Sequence, residues 1–118
     1  MRQIVFRGYS TKYKSWHYGS LELAKGGKCF IKSFYDNGSV ARTRVEEESI
    51  GQFTEFYDCE DKPIYEGDLV EDTTYEEGGS FEVTMNNGTW TLMDEQGNYG
   101  DLKDYAKISE VIGAEYDF

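Results

Sequence analysis

Apolar and polar residues alternate along most of this chain with a period of two, the spacing that sends successive side chains to opposite faces of a strand. Phe81-Glu82-Val83-Thr84-Met85 and Trp90-Thr91-Leu92 show it most plainly, and between them Asn86-Asn87-Gly88 supplies a turn that tolerates positive φ. The spacing predicts a hairpin in which Phe81, Val83, Met85, Trp90 and Leu92 form one buried layer. A second hairpin joins residues 28–35 to residues 39–45 through Asp36-Asn37-Gly38. The first strands are expected from Gln3 to Arg7 and from Lys14 to Tyr18, with Trp16 and Tyr18 on one face. Gly26-Gly27, Glu76-Glu77-Gly78-Gly79 and Gln96-Gly97-Asn98 read as loops. No stretch carries an apolar 3.6 period, so Leu102 to Ala106 can form one helical turn at most. Short strands, thirteen Gly and a single Pro indicate an all-β barrel or sandwich.

Composition sharpens this picture in two ways. A chain of 118 residues is enough for one modest core, so residues 1–118 are expected to form a single domain. Ten Tyr, seven Phe and two Trp supply most of the bulk for that core, and Tyr and Trp suit walls that are half wet. No apolar run approaches the roughly 18 residues of a membrane span, and Met1-Arg2-Gln3-Ile4 lacks the apolar stretch of a secretory signal. A soluble, cytoplasmic protein is expected. Cys29 and Cys59 lie far apart, with neither a Cys-x-x-Cys nor a nearby His, which predicts free thiols rather than a zinc site or a disulfide framework.

Charge divides the chain. Residues 1–45 hold nine Lys or Arg against Glu22 and Asp36, a balance of +7, whereas residues 46–118 hold three Lys against 21 acids, a balance of −18. The bland explanation is an acidic solvated surface that keeps the protein soluble. The sharper one has the basic half meeting an acidic surface of the same or a neighbouring subunit, or receiving an anionic ligand. Self-association into a homo-oligomer follows from the sharper one.

The middle of the chain carries a motif. Ile50-Gly51-Gln52-Phe53-Thr54 leads through an acidic turn to Pro63-Ile64-Tyr65-Glu66-Gly67-Asp68-Leu69-Val70. This segment resembles the central signature of the YopX family, small proteins encoded mostly by phages and prophages. Ile4-Val5-Phe6-Arg7, Trp16-His17-Tyr18-Gly19-Ser20-Leu21 and Glu110-Val111-Ile112-Gly113 extend the resemblance over nearly the whole chain. It implies a pseudo-barrel of short antiparallel strands and a phage accessory role inside a bacterial host. Two positions depart from the family pattern: Glu55 stands where Gly is typical, and Glu60-Asp61 replaces an Asn-Gly turn. Gly67 reads as a bulge or corner, with Ile64 and Tyr65 packed and Glu66 and Asp68 facing outward or bonding to backbone amides.

Catalytic patterns are scarce, so no catalytic residue is assigned and no enzyme is expected. His17 is the only histidine and has no nucleophile elbow to serve, and neither Cys sits in a nucleophile motif. Asp58-Cys59-Glu60-Asp61 fails as a calcium loop because Lys62 breaks the oxygen spacing and Pro63 takes the place of the turn glycine. No metal or cofactor is predicted. Binding is the better expectation. Arg2, Arg7, Lys12, Lys14, Arg42 and Arg44 are interleaved with Tyr9, Tyr13, Trp16 and Tyr18, a mixture of cations and flat rings suited to a nucleotide-like anion. Gln52, Thr54, Tyr65 and Asp68 are expected to line a pocket where the signature strands bring their polar ends together. The candidate ligand set is thus Arg7, Trp16, Tyr18, Arg42, Arg44, Gln52, Thr54, Tyr65 and Asp68. The net charge of −11 argues against a nucleic acid polymer as partner. A small anionic ligand leads, and the alternative is an acidic interaction module for a basic host or phage protein.

Overall fold

The computed structural model describes residues 4–74 and 79–116. Arg2, Gln3 and the first three residues of the loop expected at Glu76-Glu77-Gly78-Gly79 lie outside those residues. The chain divides between Gln52 and Phe53 into two compact units.

The first unit is an antiparallel sheet. Strands β1 (Phe6–Ser10), β2 (Ser15–Leu23), β3 (Cys29–Phe34) and β4 (Val40–Val45) lie in the order β4-β3-β2-β1, and the opening residues of β5 (Gly51–Tyr57) pair with β1. The β3–β4 hairpin turns at Asn37-Gly38 as the sequence predicts, with Gly38 N–H donating to Tyr35 O at 2.9 Å. Strand β2 serves two partners, pairing with β1 up to Gly19 and with β3 from Ser20 onward. Gly19 makes this possible, since a Cβ there would stand 2.0 Å from the Lys32 carbonyl oxygen, a distance no side chain tolerates. Alternate residues of these strands form the core: Cys29, Ile31 and Val45 are buried, with Phe6, Leu21 and Ile50 packed around them. Strand β2 begins one residue later than the alternation indicates, because Lys14 is taken into the turn at φ 53°.

The second unit is built on a five-stranded sheet. Strands β6 (Pro63–Tyr65), β7 (Asp68–Asp72), β8 (Ser80–Asn86), β9 (Thr89–Asp94), β10 (Gly97–Asp101) and β11 (Ser109–Ala114) follow the end of β5, with helix α1 (Leu102–Tyr105) and a 3-10 turn (Ala106–Ile108) before β11. The sheet runs β10-β9-β8-β7-β11, all antiparallel, while β6 pairs with the end of β5. Ile64, Val70, Val83, Leu92, Leu102 and Ala106 form its core, bordered by Phe56, Phe81, Trp90, Tyr99, Tyr105 and Val111. Burying each of the large aliphatic members contributes about 1.5–3 kcal/mol.

The protein is therefore all-β, as its alternation indicates, but the strand order of neither sheet closes into a barrel. Two details differ from the sequence reading. Met85 shares the core face of β8 yet lies 45% exposed, because it stands at the hairpin end where no layer covers it. Gly97 and Asn98, expected in a loop, open strand β10, since pairing with β9 overrides their weak strand preference.

Candidate functional site

Five of the nine candidate residues belong to the four-stranded sheet of the first unit. Register pairs Arg7 with Tyr18 and Tyr9 with Trp16, so Arg7, Tyr9, Trp16 and Tyr18 share one face of the β1–β2 hairpin. The Arg7 guanidinium lies 4.4 Å from the Trp16 ring centre, and Tyr9 meets Trp16 edge-on at 5.5 Å. On the β3–β4 hairpin, Arg42 stands opposite Lys32 and Arg44 opposite Phe30, again on one face. Arg42 stacks over Phe30 at 3.6 Å. Sequence reasoning missed the anion already in place among these cations. Glu22 accepts from Arg42 Nε at 3.0 Å and pairs with Lys32 Nζ at 3.1 Å, and these two partners hold its carboxyl at about 2, below the usual 4.5. The signal was available, as Glu22 is one of only two acids in residues 1–45.

The remaining candidates lie in the signature block, where Gln52 closes the first unit and the other three belong to the second. Thr54 is buried and donates to Ile64 O at 2.7 Å, while accepting from Phe56 N–H at 3.2 Å. Tyr65 is buried with its ring 5.4 Å from that of Phe53. Its N–H donates to Asp68 Oδ2 at 2.7 Å, across a corner that Gly67 turns at φ 89°. The signature thus fastens β5, β6 and β7 together through side chain to backbone bonds. Both departures from the family pattern fall on left-handed backbone: Glu55 has φ 73° at the bulge between β5 and β6, and Asp61 has φ 61° in the turn. Glycine is the residue such positions favour, and Asp is among the few others that tolerate them.

Asp58, in the acidic turn, is 3% exposed and fully occupied by backbone. Its Oδ1 accepts from Glu60 and Lys62 N–H, both at 2.8 Å, and its Oδ2 from Val111 N–H at 2.9 Å. Burial pushes this carboxyl up, but those three donors and the Lys62 charge outweigh it and leave the group below the usual range. Among the described residues no group of three or more His, Cys, Asp or Glu could hold a metal ion. The exposed Cys59 thiol is pushed up by desolvation and then by Asp58, Glu60 and Glu110, away from the thiolate a nucleophile needs. His17 Nε2 lies 3.0 Å from Ser15 Oγ.

The second unit carries a cleft of about 780 Å³ that none of the nine candidates lines. Leu69, Glu82 and Met93 stand in register across β7, β8 and β9 on its wall. Phe81 and Tyr99 also line it, their ring centres 4.1 Å apart, and the Tyr99 hydroxyl donates to Asp72 Oδ2 at 3.1 Å. Asp72, Glu82, Asp94, Glu95 and Glu115 line it as well, and no Lys, Arg or His is among the described lining residues. Desolvation, then the charges of Glu115 and Glu66, push the Glu82 carboxyl up. A smaller cleft on the first unit brings Lys12 and Arg44 together with Glu46, Glu47 and Glu48.

Small antiparallel sheets braced by a Gly-Gln-aromatic-Thr and Tyr-Glu-Gly-Asp block place the chain in a defined class of all-β proteins. The chain belongs to the YopX family, whose description, YopX protein, matches residues 5–117. No curated protein matches it.

Proposed function

We propose that this chain is a non-enzymatic phage accessory protein, acting in the cytoplasm of a bacterial host, that binds a cationic segment of a host or phage protein in the cleft of its second unit. One observation carries this reading: five carboxylates and, among the described residues, no cation line a cleft whose remaining wall includes Leu69, Phe81, Met93 and Tyr99. Its size falls in the range of natural ligand sites, about 300–1,000 Å³. Apolar walls bind the stems and rings of a partner while the carboxylates select Lys and Arg and raise the rate of encounter. Burial first, and then the charges of Glu115 and Glu66, push the Glu82 carboxyl up, and a bound cation would offset those two charges.

Sequestration of a small nucleotide-like anion is the second reading, supported by Arg7 over Trp16 and Arg42 over Phe30. Glu22 already fills the space between Arg42 and Lys32, so the anion must displace it. Calorimetric titration with a short peptide of alternating Arg and Trp tests the first reading. Binding is expected, weakened about tenfold or more by the double variant Glu95→Lys, Glu115→Lys and by high salt. Absence of peptide binding, together with release of material absorbing near 260 nm on denaturation, transfers the function to the sheet of the first unit.

A further inference from the structure

The β3–β4 hairpin exposes an apolar tip that nothing in its own core requires. Phe34, Tyr35 and Val40 are 62%, 55% and 52% exposed and lie together, and it is contiguous exposed apolar side chains that mark interaction surfaces. Phe34 faces Val40 in register, and the next rungs on that same face are Lys32 with Arg42 and Phe30 with Arg44. The hairpin thus ends in an apolar rung with two rungs bearing cations behind it, where Lys32 and Arg42 share Glu22 of β2. Residues 28–45 carry four cations against one acid. The cleft of the second unit has the opposite character, apolar and aromatic walls beside five carboxylates.

We infer that the hairpin tip of one molecule docks in the acidic cleft of a second copy, giving a head-to-tail assembly. This rests on the proposed reading of the cleft as an open binding surface, and it names a partner of matching chemistry in the chain itself. Symmetric pairing is the competing arrangement, since β4 lies at the edge of its sheet. Such pairing centred on Thr43 sets Arg42 of one copy opposite Arg44 of the other, and like charges opposed across strands are destabilising. The edge is therefore blunted against its own copy, while the tip fits an acidic surface. A head-to-tail contact leaves one free tip and one free cleft on every open assembly, so growth proceeds until a ring closes or continues as a chain. A cationic host segment then competes with the hairpin of the neighbouring molecule and dissolves the assembly as it binds.

Charge-swapped variants test the inference. The tip variant Phe34→Asp, Tyr35→Asp keeps a native cleft, and the cleft variant Glu95→Lys, Glu115→Lys keeps a native tip. All four positions are exposed, and native circular dichroism and melting of each variant establish that it folds. Wild-type protein is expected to associate progressively in sedimentation at low salt. Each variant alone should need about tenfold or more protein for the same association. Their mixture should form a 1:1 pair that grows no further, because only one tip and one cleft remain functional. A wild type that stays monomeric at about 100 µM, a level at which weak contacts of roughly 5 kcal/mol register, overturns the inference. So do variants that associate as the wild type does, or a mixture that fails to pair. Arg-Trp peptide binding by a monomeric wild type discards self-docking while leaving the proposed function standing.

Discussion

The two units brace their backbones with different chemistry. In the first, hydroxyls accept the stray N–H groups: Tyr9 N–H donates to Ser49 Oγ at 2.7 Å and Tyr13 N–H to Ser10 Oγ at 3.1 Å. In the second, buried carboxylates take much of this work. Asp58 accepts three backbone donors, Asp68 accepts Tyr65 N–H, and Asp72 accepts Thr74 N–H together with the hydroxyls of Thr74 and Tyr99. No Asp or Glu is buried among the described residues of the first unit. Nine cations meet five acids in residues 1–52, against three and eighteen in residues 53–118. Part of the acidic excess is thus internal scaffolding of the second unit, which a surface reading of net charge does not distinguish.

Acid provides the largest contrast. Thr74 bonds first and the Tyr99 hydroxyl further hold the Asp72 carboxyl below its usual range despite burial, and Asp58 is held low as well. Groups with folded values below their unfolded ones stabilise fully above the unfolded value, near 3.9 for Asp, and lose that contribution as pH falls through the folded value. Glu22 of the first unit is held low too, but by surface ion pairs that solvent screens, so the second unit should loosen below about pH 4 before the first. Each unit holds one tryptophan, so fluorescence of Trp16→Phe reports the second and that of Trp90→Phe the first. Coincident acid transitions would show that the units melt as one block and would erase the contrast.

Single substitutions sharpen it at smaller scale. Asp58→Ala leaves three backbone donors without their acceptor and should cost about 2–4 kcal/mol in urea unfolding followed by Trp90. Ser49→Ala removes one neutral acceptor and should cost about 1 kcal/mol, read by Trp16. Equal losses would mean that carboxylate and hydroxyl are equivalent braces here. The smallest effect is a gain. Glu55→Gly relieves a left-handed backbone worth about 1–2 kcal/mol and gives back about 0.5–1 in unfolded-state entropy, for a net stabilisation of up to about 1.5 kcal/mol. A lower urea midpoint for Glu55→Gly would mean that the Glu55 side chain compensates its own strain.

Local chemistry was legible in the sequence and remote chemistry was not. Asn37-Gly38 and Asn87-Gly88 announce their hairpins because turn geometry depends on those residues alone, and Asn87 indeed sits at φ 52°. The strand Gly97–Asp101 has little strand preference, and its Gly100 is set by a ring four residues beyond the strand, since a Cβ there would stand 2.5 Å from Tyr105. Among the candidates, Arg7, Trp16 and Tyr18 gather on one face because alternation predicts faces, as it does for Arg42 and Arg44. Thr54 and Asp68 turned to backbone partners 10 and 3 residues away, a choice their side chains make only once the strands have met. The acidic cleft draws on Leu69, Phe81, Met93 and Glu115, too widely spaced to form a motif.

The turn at Asn37 has a consequence for chemical ageing. An Asn-Gly pair loses ammonia when the glycine nitrogen attacks the asparagine side-chain carbonyl and closes a succinimide ring, whose hydrolysis leaves Asp or isoaspartate. Here Gly38 N–H is given to Tyr35 O at 2.9 Å, and Asn37 Oδ1 is held by Ser39 N–H at 2.9 Å. Ring closure must take the proton that Gly38 N–H gives to Tyr35 O, so the folded hairpin shields the dipeptide that shapes it, and isoaspartate at Asn37 records the time a molecule has spent with that hairpin open.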